Sequence, residues 1–177
     1  MVAVNTPAAN RFRHAGFTLL ELLVAMGLVG ILTAIGIPAL RNFTLQQRIG
    51  TTVQDLQLDF ALARSEAITR ATSVSVCTSS DNATCTNTGW EGGRIIFTDV
   101  NQNGALDGGD ALIRVGYAPL ATMTVTAVPA NTFVSFNRLG QANAAMTFTI
   151  CKSGLKSRVL DVRTSGNPSV SNPNVTC

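Results

Sequence analysis

An α+β domain carried on a long N-terminal helix is the fold class this chain predicts, and three features predict it. Residues 17–40 are apolar apart from one carboxylate, Glu21. Apolar side chains then recur at spacings of three and four as far as Ala67, as in a helix with one buried face. Beyond Ala71 the period changes to two, in short segments separated by Gly, Asn, Asp and Pro. That pattern reads as antiparallel strands. The expected arrangement is an antiparallel sheet wrapped around the second half of the helix.

The apolar segment comes first. Arg11 and Arg13 precede it, as in a secretory signal, but it exceeds the usual apolar core of roughly 7–15 residues. No small-x-small cleavage site follows; Ile37-Pro38-Ala39 is a poor substitute. A helix over residues 17–40 would rise about 36 Å, enough to cross a hydrocarbon layer of about 30 Å. An ordinary anchor leaves Glu21 unexplained, because an acid in a membrane is costly and is kept for function. Gly36 and Pro38 are the expected point of bending or melting.

The second half of the helix has Leu45, Ile49, Val53, Leu56, Phe60, Ala63 and Ala67 on one face. Arg48, Gln54, Asp55, Asp59 and Arg64 are expected largely on the others. The whole helix is predicted over residues 17–70, roughly 80 Å long. Strands are predicted at 73–77, 94–98, 111–115, 123–128, 132–136, 146–151 and 158–163. Trp90 and Phe97 are expected in the core. The tail 165–177 is rich in Ser, Asn and Pro and would wander unless Cys177 tied it down.

Composition narrows the function. The chain has 177 residues, of which 13% are charged, too few for a disordered chain. Without Arg11 and Arg13, 11 basic residues face 10 acidic ones, so bulk charge gives no reason to expect nucleic acid. Four cysteines behind an export segment fit disulfides in an oxidising compartment. Cys77–Cys85 would close a short Ser/Asn/Thr-rich turn, and Cys151–Cys177 would pin the tail to a strand. His14 is the one histidine, and no phosphate loop, zinc pair or nucleophile elbow is present. The chain does not read as an enzyme.

Gly16-Phe17-Thr18-Leu19-Leu20-Glu21 resembles the cleavage signature of type IV prepilins and type II secretion pseudopilins. The resemblance implies that a membrane prepilin peptidase cuts after Gly16 and N-methylates Phe17. It implies four segments: a leader (1–16), a transmembrane half-helix (17–40), an amphipathic half-helix (41–71) and a periplasmic β-rich domain (72–177). The partners implied are the peptidase, the inner membrane and other pilins or pseudopilins packed helix to helix. The chain would sit in the inner membrane in a single pass and then enter a filament. Cleavage leaves a cationic amine on Phe17. Glu21, one helical turn away, would pair with that amine or a neighbour's and set the axial register.

Further blocks resemble the FimT/FimU minor pilins and the pseudopilin GspH: Trp-x-x-Gly at 90–93, Phe-x-Asp at 97–99, Asn-x-Asn-Gly at 101–104, "VSFNRLG" at 134–140 and "FTICKSGLKSRVLDVRTSG" at 148–166. The implied function is a minor pilin-like subunit of a pilus initiation or tip complex. The alternatives are a GspH-like minor pseudopilin of type II secretion and a FimT-like DNA receptor for natural transformation.

Two constellations remain. Asp99, Asn101, Asn103, Gly104, Asp107 and Asp110 occupy positions 1, 3, 5, 6, 9 and 12 of an EF-hand-like loop. Position 12 is Asp rather than Glu and the flanks read as strands, so a polar turn is expected, with calcium as the alternative. No cofactor is otherwise expected. Some FimT-like proteins bind DNA through an arginine-bearing C-terminal loop, but here Gly166-Asn167-Pro168-Ser169 has no arginine. Lys152, Lys156, Arg158 and Arg163 lie nearby, with the two arginines in a predicted strand. They are expected to form a solvated face, and DNA is the alternative partner.

Overall fold

The computed structural model describes residues 16–86, 88–119 and 123–177. Arg11, Arg13, His14 and the leader up to residue 15 lie outside them. The chain divides into two compact units, Met1–Arg41 and Asn42–Cys177. Helix α1 covers Leu19–Arg70.

In the first unit every described side chain is exposed. The helix runs through Gly36 and Pro38 without interruption, so of the expected bending or melting the melting does not occur. Proline removes one N–H donor, whereas the surrounding Ile, Leu and Ala residues keep every other turn. Thr33 adds a local bond, donating its hydroxyl to Val29 O at 2.9 Å.

The second unit contains eight strands among the described residues: β1 (Val74–Thr78), β2 (Arg94–Thr98), β3 (Leu112–Gly116), β4 (Thr124–Val128), β5 (Phe133–Phe136), β6 (Met146–Cys151), β7 (Arg158–Val162) and β8 (Pro168–Ser171). They form two antiparallel sheets rather than one, ordered β3-β2-β1-β5 and β4-β6-β7-β8. Strand periodicity shows which face is inward but not which strand is the neighbour. β4 and β5 follow each other yet join different sheets. Pro129, immediately after β4, has no N–H with which to close a hairpin.

Both sheets deliver side chains to one core around α1. Ile49, Val53, Leu56, Phe60, Ala63 and Ala67 meet Val76 and Phe136 of one sheet and Phe148, Ile150 and Leu160 of the other. Phe60, Trp90 and Phe148 stack at its centre, with Trp90 edge-on to Phe148 at 4.9 Å between ring centroids. β1 and β2 are buried on both faces. On the far side Cys77, Ile95 and Phe97 form a smaller cluster covered by Cys85, Leu106, Val115 and Phe133.

The tail is also ordered by pairing. β8 lies antiparallel to β7, Thr176 bridges to Lys156, and Cys177 is bonded to Cys151. Sequence reading passes over β8 because it opens on proline and is bounded by Asn167 and Asn172. An edge strand tolerates that composition, since only one of its sides donates to a ladder.

Candidate assembly site

Phe17 and Thr18 precede the first turn of α1. The Thr18 hydroxyl accepts the Glu21 N–H at 3.2 Å, and Thr18 O accepts the Leu22 N–H at 3.1 Å. Thr18 is therefore the N-cap and Glu21 the third helical residue, half of a capping box that fixes where the helix starts. The T-x-x-E spacing ahead of an apolar run was the signal for it. Glu21 is an acid in the first helical turn, where the helix dipole favours negative charge. Among the described residues no group pairs with its carboxylate. Phe17 is 85% exposed, and nothing lies within 4 Å of a side chain added at Gly16. By length and composition α1 is able to cross a membrane.

A second polar site escaped sequence reading. Asp59 was expected off the core face but is completely buried. It takes a hydrogen bond from Arg94 Nε at 2.5 Å and an ion contact from Arg94 Nη2. Arg94 is itself buried, and its Nη1 donates to Tyr117 O at 3.2 Å. Arg114 Nε stands 3.1 Å from Asp59 Oδ1; it is an ion contact without hydrogen-bond alignment, because Oδ1 has no hydrogen-bond partner. Burial of the carboxylate is compensated by these two cations. The partner lies 35 residues away in sequence, so no local spacing announces it.

Both disulfides expected from the cysteine spacing are formed, Cys77–Cys85 and Cys151–Cys177. Inside the first loop, Asp81 accepts the Thr84 hydroxyl at 2.6 Å and the N–H groups of Thr84 and Ala83 at 2.8 and 2.9 Å. These donors hold its carboxyl well below the ordinary carboxylate range, the Thr84 hydroxyl most of all.

In the loop after β2, Asp99 is buried. It accepts the N–H groups of Asn103 and Gly104, each at 3.0 Å, and the Ser75 hydroxyl at 2.5 Å. Asp107 accepts the side-chain amides of Asn101 and Asn103 at 2.9 and 3.0 Å. Asn101 is the first cause of its lowered pKa, followed by the Gly109 N–H. Asp110 accepts the N–H groups of Val100 and Asp107 at 3.0 and 3.1 Å. The six loop residues thus close a turn on themselves. Among the described residues no three acids, histidines or cysteines gather as a metal site.

Lys152, Lys156 and Arg158 share the end of the β6–β7 hairpin at which Ile150 faces Arg158 and Leu155 N–H closes onto Lys152 O, and Arg163 lies at the other end. Lys156 Nζ donates to Asn174 Oδ1, and its backbone pairs with the Gln46 amide at 3.0 and 3.1 Å. Arg158 opens β7 and Arg163 follows its end, about 16 Å apart along the strand. Lys152 lies just beyond β6.

Residues 11–37 match the prokaryotic N-terminal methylation motif, and residues 52–167 match the profile described as type II transport protein GspH. No curated protein gives a significant match. The type IV minor pilin FimU of Pseudomonas aeruginosa is similar in structure: in one crystal form the TM-score is 0.58 at 24% identity, over 73% of this chain and 92% of that one. In a second form it is 0.55 at 23%, over 69% and 91%. The minor pseudopilin EpsH from the type 2 secretion system of Vibrio cholerae gives 0.50 at 12%, over 72% and 99%. At these identities the likeness establishes the pilin fold. The profile spans more than half of the sequence, and with the methylation motif ahead of it the chain belongs to the GspH family of pilin-like subunits.

Proposed function

We propose that this chain is a minor type IV pilin-like structural subunit of a pilus initiation or tip complex. In this reading prepilin peptidase cuts after Gly16 and methylates Phe17, the globular unit lies in the periplasm, and the mature chain enters a filament by packing its apolar helix against others. The observation that carries it is the apolar first half of α1, exposed on every side, which begins with a capped acid within the methylation motif. Such a surface needs lipid or other helices around it. Glu21 then supplies the anion for a Phe17 amine buried among packed helices, where an unpaired charge is costly.

A second reading, a minor pseudopilin of type II protein secretion, is favoured by the family description and the likeness to EpsH. The neighbouring genes separate the two: other minor pilins in one case, secretion components in the other. The third reading, a FimT-like DNA receptor, has Lys152, Lys156 and Arg158 at one end of the β6–β7 hairpin, but Gly166-Asn167-Pro168-Ser169 carries no arginine; a gel shift at physiological salt tests it.

The test compares wild type, Glu21→Asp and Glu21→Ala in membranes and in sheared filaments. Glu21→Ala is expected to be inserted and cleaved normally, because losing a carboxylate makes the segment more apolar. Its incorporation into filaments should fall by at least about tenfold, with Glu21→Asp intermediate. Intact mass should show a mature chain starting at methylated Phe17. Equal incorporation at equal membrane abundance would remove the register role, and a chain starting after residue 37 would point to ordinary signal peptidase.

A further inference from the structure

Asn103-Gly104 is the one Asn-Gly step in the chain. It lies in the loop after β2, with Asn103 exposed and Gly104 buried. Such a step is chemically labile, because glycine has no side chain to shield its nitrogen from the amide carbon of the preceding asparagine. The loop cannot dispense with the glycine. Gly104 has a φ of 72°, and a Cβ on it would stand 2.7 Å from the Phe133 ring. Any other residue would meet both backbone strain and that ring. Packing therefore retains the labile step, and its durability rests on hydrogen bonds.

Those bonds are present. Gly104 N–H donates to Asp99 Oδ2 at 3.0 Å, and Asp99 is completely buried. The carboxylate is fixed in turn by the Ser75 hydroxyl from β1 at 2.5 Å and by the Asn103 N–H at 3.0 Å. A nitrogen whose hydrogen is held by a buried anion cannot turn towards a neighbouring amide. The same anion opposes the negative charge that the nitrogen would carry without its proton. The asparagine amide is tied down as well. Its Nδ2 donates to Asp107 Oδ2 at 3.0 Å, and its Oδ1 accepts the Ala105 N–H at 2.8 Å.

We propose that Asn103 is a spontaneous modification site, converted to aspartate and isoaspartate by water alone, and that Asp99 holds it closed in the folded chain. In the step, Gly104 N gives its proton to solvent and bonds Asn103 Cγ. The Cγ–Nδ2 bond breaks, and ammonia leaves with a proton taken from solvent. The cyclic imide then takes up water at either of its carbonyls, so water consumed and ammonia released balance the conversion. Isoaspartate routes the main chain through the former side chain, which leaves the turn unable to close as before. Each conversion is thus a permanent record that the loop has opened. The chemistry needs no partner chain, so its failure would leave the assembly reading untouched.

The experiment incubates the full chain in detergent at mildly alkaline pH. Position 103 is followed by peptide mass, with isoaspartate separated by chromatography, and the Gly104 amide is followed by hydrogen exchange. In the folded wild type Asn103 should persist and the Gly104 amide should be protected; in urea both protections should vanish. Asp99→Asn, checked for a cooperative thermal transition, should speed conversion at position 103 by about tenfold or more, with the other asparagines unchanged. If Asp99→Asn does not fold, Ser75→Ala loosens the same carboxylate without removing it, and a smaller acceleration is expected. Leu160→Ala, which destabilises the other sheet, should leave the rate at position 103 as in wild type. Conversion in the folded wild type as fast as in urea, or free exchange at Gly104 while Asn103 persists, overturns the proposal. So does a folded Asp99→Asn or its Ser75→Ala substitute without acceleration, or equal acceleration by Leu160→Ala.

Discussion

Gly166 has no room for a side chain. A Cβ there would meet a fixed backbone oxygen at 1.7 Å from a left-handed conformation, so Gly166→Ala should cost about 3 kcal/mol or more. Gly108→Ala, with open space around it, should change stability by less than about 0.5 kcal/mol. Urea denaturation of both checks the contrast. Asp81 and Asp107 give a pH prediction. Their folded pKa values lie below the ordinary 3.8 because hydrogen bonds hold the anions. They therefore add stability above that value, and it is lost as pH falls through and below it. The thermal midpoint should drop on acidification below about pH 4, and less steeply in Asp81→Asn. At this scale the sequence was readable where a residue acts on near neighbours, as with the cysteine pairs and the Asn/Asp turn. It was silent where the neighbour is distant in sequence. Nothing beside Asp59 points to Arg94, and nothing beside Gly166 points to Gly140.

At the scale of elements, seven of the strands were legible from alternation because each has an inward row of Val, Ile, Phe or Met. β8 was not, because an edge strand with Pro168 and two serines buries too little to show a period. The division into two sheets was equally hidden, since it depends on where β4 and β5 find partners rather than on their composition. The helix was legible almost in full, and Thr18 sets its start two residues later than periodicity alone suggests. The Asp59–Arg94 pair fastens this helix to β2. Asp59→Ala should destabilise the globular unit by about 3–5 kcal/mol, because it leaves a buried guanidinium with no anion. Replacing Asp59 and Arg94 together by Leu and Met should recover most of that loss. A double-mutant cycle in urea measures the coupling, and additive losses would show that the pair is not a unit.

For the whole molecule, the two units place opposite demands on solvent. The described residues of the first unit, 16–41, are all exposed, whereas Asn42–Cys177 holds the core and both disulfides. A chain beginning at Asn42 should be soluble without detergent and unfold cooperatively. Its midpoint should lie within about 4 °C of the full chain in detergent, the change that ~1 kcal/mol produces. Loss of the sigmoidal transition would show that the first unit supplies part of the fold. The buried carboxylate has a further, mechanical consequence. Pulling on α1 loads its contact with the sheets in shear. Aliphatic rows alone would let the helix creep past them in small, cheap increments. Asp59 forbids creep: a slip of one turn, about 5.4 Å, would drag a bare anion under the sheet and strand a bare cation behind it. Under load along α1 the contact should therefore hold up to a threshold force and yield in one step rather than creep, which single-molecule pulling would read.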